Sequence, residues 1–168
     1  EIGVRLVGSE MCIRDSDLPV QVTHIPGITR VKYTNSINQD VRLVTAGEDH
    51  LVRLLPSEPT ATDVIPLVLE DATQKISWIE ANSKYLVTAS EDGAVRLYQH
   101  ALQSEDDPQK ATSCIRMVRR EVLPVRCVSL ERATESPRAA ICSDELIIRV
   151  ANVEDPRQIT LLTGHTRG

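Results

Sequence analysis

LVTASEDGAVRLY, from Leu86 to Tyr98, decides how this chain is read, because it is present three times. Upstream stands LVTAGEDHLVRLL, Leu43 to Leu55, and downstream AAICSDELIIRVA, Ala139 to Ala151. The three align without a gap. Each opens with a short apolar strand, passes an acidic pair (Glu48-Asp49, Glu91-Asp92, Asp144-Glu145) and continues as an alternating strand with an arginine in one place: Arg53, Arg96, Arg149. Alternation on both sides of a polar turn spells a β-hairpin. Its return after 43 and then 53 residues spells an array of propeller blades, each of which hides its faces only by stacking on neighbours.

Working outward, the pattern is β from Asp17 on. Val20 to His24 and Ile28 to Tyr33 alternate around Pro26-Gly27, a turn pair. The second unit adds Val64 to Leu69 and Lys75 to Ile79, and the third adds Cys114 to Arg119 and Val125 to Leu130. Between them Pro56 to Asp63, His100 to Ser113 and Glu154 to Arg157 have loop composition, and the acidic run Ser104 to Pro108 reads as a solvated insertion. The repeat units are therefore about 20–56, 64–99 and 114–152, with another opening at 158–168. The expected fold class is all-β: a partial propeller of about three four-stranded antiparallel blades plus the first strand of a fourth unit. The blades are expected at about 28–69, 74–119 and 125–162, with Val20 to His24 as a sealing strand.

Composition agrees with a soluble globular domain: 168 residues, 41% hydrophobic, net charge -5. No apolar run approaches the roughly 20 residues of a membrane span, so no membrane partner is expected. The mild negative charge argues against wholesale electrostatic binding to nucleic acid and leaves room for a local basic patch. Cys12, Cys114, Cys127 and Cys142 form no C-x-x-C pair and have no histidine at ligand spacing, so they read as reduced, mostly buried apolar residues, with no metal and no cofactor expected.

Residues 1–16, EIGVRLVGSEMCIRDS, are unlike the rest. They match the translation of a transposase adapter used in short-read sequencing, Glu-Ile-x-x-Arg-Leu-Val-Gly-Ser-Glu-Met-Cys-Ile-Arg-Asp-Ser, at every fixed codon, and the free codons fall where a sample index lies. They have no charged-then-apolar signal pattern. They are read as an artefact rather than native sequence and are set aside from fold reasoning.

The three hairpins resemble the WD40 pattern, in which a turn aspartate is followed by V/I, K/R, an apolar residue and Trp-Asp. Asp49 and Asp92 hold the aspartate position and Glu145 replaces it; Leu55-Pro56, Tyr98-Gln99 and Ala151-Asn152 stand for Trp-Asp, so the repeats are degenerate. In the ideal repeat the aspartate joins a histidine, a Ser/Thr and the tryptophan in a buried hydrogen-bond chain; Thr45 and Thr88 are the candidates for the hydroxyl. Gly164-His165 is the dipeptide that opens such a repeat, and His165 reads as a blade cap.

His24-Ile-Pro-Gly-Ile-Thr-Arg-Val-Lys-Tyr-Thr34, the two copies LVTAGEDHLVRL and LVTASEDGAVRLY, Leu123 to Ser129 and Ala140 to Val150 together resemble the N-terminal WD40 domain of one family of replication adaptors. This is the family of chromosome transmission fidelity protein four, called acidic nucleoplasmic DNA-binding protein in vertebrates, and the likeness is to fungal members. It covers residues 20–168. It implies a nuclear, non-enzymatic scaffold of the replication fork, linking the replicative helicase to DNA polymerase alpha and supporting sister-chromatid cohesion, with DNA or chromatin contact open. The family's trimerisation region and partner-peptide site lie downstream of the part resembled, so no residue of theirs carries over. The alternative is a substrate- or partner-recruiting WD40 module of another complex, such as a ubiquitin ligase, with a fused enzyme third.

No catalytic constellation is legible. His24, His50, His100 and His165 stand in turns or at strand ends without a nucleophile motif, and Asp49, Asp92 and Glu145 are explained by turn chemistry. The candidate binding residues are Arg116, Arg119, Arg120 and Arg126, in a stretch that also holds Arg132 and Arg138. Arginine pairs bidentately with phosphate or carboxylate; a solvated, salt-bridged blade surface is the other reading. Strand alternation places positions 116 and 119 on opposite faces.

Two expectations concern the ends of the chain. About three blades leave two open apolar flanks, each buried Val or Leu being worth roughly 1.5–3 kcal/mol, so this stretch by itself is expected to be aggregated or molten until further repeats cover them. Residues 1–16 are expected to pack on nothing: deleting them leaves the melting temperature of the native domain unchanged, and a fall of several degrees would refute the adapter reading.

Overall fold

The repeated hairpin builds three four-stranded antiparallel sheets. The computed structural model describes residues 25–35, 41–56, 67–99, 116–133, 135–155 and 157–164. The first sheet holds β1 (Ile28–Asn35), β2 (Val41–Gly47), β3 (Val52–Pro56) and β4 (Leu67–Leu69). The second holds β5 (Ile76–Ala81), β6 (Tyr85–Ser90), β7 (Ala94–Gln99) and β8 (Arg116–Arg120); the third holds β9 (Val125–Leu130), β10 (Arg138–Ser143), β11 (Ile148–Asn152) and β12 (Ile159–Leu162). Within each sheet the strands lie side by side in chain order. The three copies of the motif are β2–β3, β6–β7 and β10–β11, paired alike: Thr45 opposite Arg53, Thr88 opposite Arg96, Ile141 opposite Arg149.

The sheets stack as blades through their first strands, β1 on β5 and β5 on β9. One apolar cluster, with Val44, Val52 and Leu54 of the first blade and Ile76, Ile79, Leu86 and Tyr98 of the second, fills the first junction. The second junction holds Val87, Val95, Leu97 and Val118 against Val125, Val128, Ile141 and Val153. The middle hairpin thus buries both faces, every residue of β6 and all of β7 but Gln99. Its near-continuous apolar sequence follows from that two-sided cover.

Each first strand carries a bulge one residue after its start, at Thr29, Ser77 and Arg126. A bulge frees one side chain from the ladder and re-aims it. The Thr29 hydroxyl lies 2.7 Å from the carbonyl of Ile76 and the Ser77 hydroxyl 2.6 Å from that of Val125, so a small hydroxyl stitches each blade to the next. At the far ends of the sheets, Glu154 accepts from Lys84 and from the Tyr85 hydroxyl (3.0 and 2.7 Å), joining blades two and three again.

The first and third blades match the expected limits; the second, expected at 74–119, runs from Ile76 to Arg120. Val20 to His24, residues 64–66, Cys114 and residues 1–16 lie outside the described residues. The outward flanks expose Val31 and Tyr33 on the first blade and Leu161 and Leu162 on the third. Cys127 and Cys142 face one another across β9 and β10 as free thiols, half-buried rather than buried, and burial pushes the Cys127 thiol up.

Gly93 closes the middle hairpin at φ 81°. Its carbonyl accepts the Glu121 amide at 2.7 Å, bringing the chain so near that an added Cβ would lie 2.4 Å from the Glu121 carbonyl oxygen. Gly93→Ala is expected to cost about 2 kcal/mol or more, from the left-handed backbone and the clash. Amide exchange at residues 93–97 and 117–121 would then quicken at least tenfold. Gly27→Ala, with nothing near its added Cβ, leaves exchange unchanged; equal effects of the two would refute this account.

Candidate functional site

The candidate site is the end of the blades where the first strands begin. The turns at 48–50, 91–93 and 144–146 meet there with the segments that lead into β1, β5 and β9. Backbone bonds fix the meeting: the amides of Glu48, Glu91 and Asp144 donate to the carbonyls of Gly27, Lys75 and Pro124 at 2.9, 3.0 and 3.2 Å.

In each turn the two acids have separate tasks. The second acid holds the arginine four residues on: Asp49 with Arg53 at 2.8 Å, Asp92 with Arg96 at 2.7 Å, Glu145 with Arg149. The first acid in two of the turns reaches the next blade: Glu48 meets Lys75 at 3.0 Å and Glu91 meets Arg126 at 3.2 Å. Arg126 also grips Asp144 of its own blade with Nε and a terminal nitrogen, both at 2.6 Å.

Asp92 is the most enclosed of these carboxylates, with side-chain exposure of 5% against 7% for Arg96. Its oxygens also accept the amides of Ala94 and Thr73 and the Thr73 hydroxyl. Burial opposes its ionisation, but the Arg96 guanidinium and the two amides more than offset this and hold the carboxyl well below the usual range. Thr88, expected to supply a hydroxyl to a buried network, is fully buried and its Oγ1 has no hydrogen-bond partner among the described residues. The Asp92–Arg96 pair is the polar anchor of this blade.

The candidate arginines do not form one patch. Arg119 donates to Glu121 at 3.0 Å, and Arg126 is engaged as described. Its hydrogen bonds to Asp144 raise its pKa, and Arg126 in turn lowers that of Asp144. Arg120 is exposed, with no ion-pair partner among the described residues. Arg132 and Arg138 stand at the opposite end of the third blade, where Arg138 pairs with Glu131 at 3.1 Å and lowers its pKa. Strict alternation fails in β8: the register shift sets Arg116 opposite Leu97 and Arg119 opposite Val95, two apart, because Val118 is an extra residue. The side chain of Arg116, and His165 entirely, lie outside the described residues. His50 sits exposed in the first turn with φ 58°.

Glu121, which the sequence reading passed over, is central here. Its side chain is 2% exposed and meets Arg119 of its own blade and Arg149 of the next, the latter at 3.3 Å. Its one legible signal is its place directly after a strand rich in arginine. No group of three or more His, Cys, Asp or Glu among the described residues is arranged to hold a metal ion, and no helix there is long and apolar enough to cross a membrane.

The comparisons concern the fold. No family model matches the chain. It is similar in structure to the Cps50 (Swd1) beta-propeller domain of Myceliophteria thermophila, with a TM-score of 0.61 and 17% identity over 80% of this chain and 39% of that one. The fold is therefore that of a partial β-propeller with four-stranded antiparallel blades. In sequence, 70 residues are 29% identical to peroxisome biogenesis protein 7 of Arabidopsis thaliana, 42% of this chain and 22% of that protein. The chain spans well under half the length of both.

Asp92→Asn and Thr88→Val are expected to act in opposite directions. The first takes the carboxylate away from the buried Arg96 guanidinium, at a cost of about 3 kcal/mol; the second removes an unsatisfied hydroxyl and gains about 1 kcal/mol. A carboxyl depressed in the fold stabilises it above the unfolded-state value of about 3.9 and loses that contribution as pH falls toward the folded one. Fluorescence of Trp78, the single tryptophan, should accordingly show a shallower loss of stability below about pH 5 in Asp92→Asn than in the parent. An equally steep acid limb would remove Asp92 from this role.

Proposed function

We propose that the chain is a protein-interaction module, part of a non-enzymatic scaffold that works at the replication fork. The observation that carries the interaction reading is how the turn end uses its charges. Its carboxylates and arginines are engaged with each other in holding hairpins and blades, which leaves a rigid, water-facing platform. The fold supports it, since blades present loops from a stiff frame. The finer reading rests on the order of phrases from His24 to Val150 that resemble the replication adaptors. Under it the protein is nuclear, links DNA polymerase alpha to the replicative helicase and serves sister-chromatid cohesion. The likeness to peroxisome biogenesis protein 7 is confined to 70 residues and offers a peroxisomal role as the competing outcome.

Tagged chain in dividing cells of its source is expected to be nuclear and to co-purify with DNA polymerase alpha and the helicase during replication. Location at peroxisomes, or co-purification with a ubiquitin ligase in place of the polymerase, would overturn the replication reading. A chain that retains no partner at all would overturn the interaction reading with it.

A further inference from the structure

The segment from Glu121 to Pro124 joins β8 to β9 and lies between two turns of the site. Both of its ends are tied. Glu121 is held by its amide on the Gly93 carbonyl (2.7 Å) and by its buried carboxylate on Arg119 and Arg149. Pro124 is held by its carbonyl, which accepts the Asp144 amide at 3.2 Å. Between these anchors stand two exposed apolar side chains: Val122 is 93% exposed and Leu123 40%. Leu146, in the turn that begins at Asp144, is 46% exposed. A lone surface aliphatic residue is ordinary. Two at the tip of a short loop whose ends are fixed, with a third in the adjoining turn, are instead presented at little ordering cost to a partner.

The charges around this tip select the partner. Arg119, Arg126 and Arg149 are each bound to carboxylates of the fold. Arg120, two residues before Val122, is exposed and has no ion-pair partner among the described residues. One open cation beside an apolar tip suits a carboxylate next to an aliphatic side chain. It suits duplex DNA poorly, since that requires several phosphates to be neutralised together.

We infer that the Val122-Leu123 tip, with Leu146 and Arg120, is a docking point for a peptide segment of another protein that carries an aliphatic side chain next to an acidic one. This rests on the interaction-module reading above and names the partner's chemistry for it.

The probe is a displayed library of random peptides selected on the native domain, in which the open flanks are covered. Enrichment of sequences with Leu, Ile, Val or Met beside Asp or Glu is expected. The Val122→Ser/Leu123→Ser double variant should weaken the selected peptides at least tenfold, and Arg120→Glu several-fold, with binding restored when the peptide's acid is changed to lysine. All three positions are exposed, so unchanged amide exchange at residues 93–97 verifies that the variants keep the fold. Absence of enrichment, or peptides indifferent to the double variant, would overturn the inference. So would duplex DNA binding that Arg120→Glu abolishes while peptide binding is nil. A double variant that keeps its co-purifying partners in cells sinks the docking point and leaves the interaction module standing.

Discussion

The acidic pair in each hairpin turn is the constraint on which the rest of the structure depends. A hairpin of two short strands is marginal in water, and a blade needs its hairpin in one register before it can stack. The second acid sets that register by drawing in the arginine four residues along, in all three copies. In blades one and two the first acid spends its charge on the following blade. One dipeptide thereby couples local order to stacking. The coupling is tightest at Asp92–Arg96, where neighbours cover the blade on both sides and the ion pair is nearly dry. It is looser at Asp49–Arg53, whose side chains keep 15% and 17% exposure. The middle blade thereby keeps a polar anchor between its two covered faces.

What the sequence shows plainly is what is local. Alternation and an acidic turn are visible within thirteen letters, so the hairpins, their arginines and the limits of the blades could be read from order alone. The pairing of acid with arginine went unread, although four residues spanning a turn are its signal. The interaction of Glu121 with Arg149 joins positions far apart in the chain and has no period to betray it. The bulge at Val118 is equally silent in the letters, yet it overturns the alternation that would send positions 116 and 119 to opposite faces. The hydroxyl of Thr88 was legible as a polar group in a strand, and its lack of a partner was not. Whether a buried group is satisfied depends on what arrives from the neighbouring blade.

The arginines of the third unit illustrate the same limit from the side of charge. Counted along the chain they form a basic run; in the fold Arg119 at the end of the second blade is matched with Glu121, Arg126 of the third with Glu91 and Asp144, and Arg138 at that blade's other end with Glu131, while Arg120 stays open. Matched pairs cancel at distances beyond a Debye length of about 10 Å. The turn end therefore projects little long-range field, and recognition there depends on shape and on contacts made at close range.

Position 126 shows how one backbone device can be turned to two purposes. Thr29 and Ser77 occupy the bulge with a hydroxyl short enough to reach only the adjacent strand, which makes them stitches inside the stack. Arg126 occupies the same bulge with a side chain long enough to leave the stack and lie on the turn end. There it binds both Glu91 and Asp144, acids of two blades. These are the turns on either side of the Val122-Leu123 tip. Rigidity at that tip thus arises from a substitution in the stitching position: the third blade's bulge exchanges a small hydroxyl for a long cation and fixes the two turns between which the loop is held.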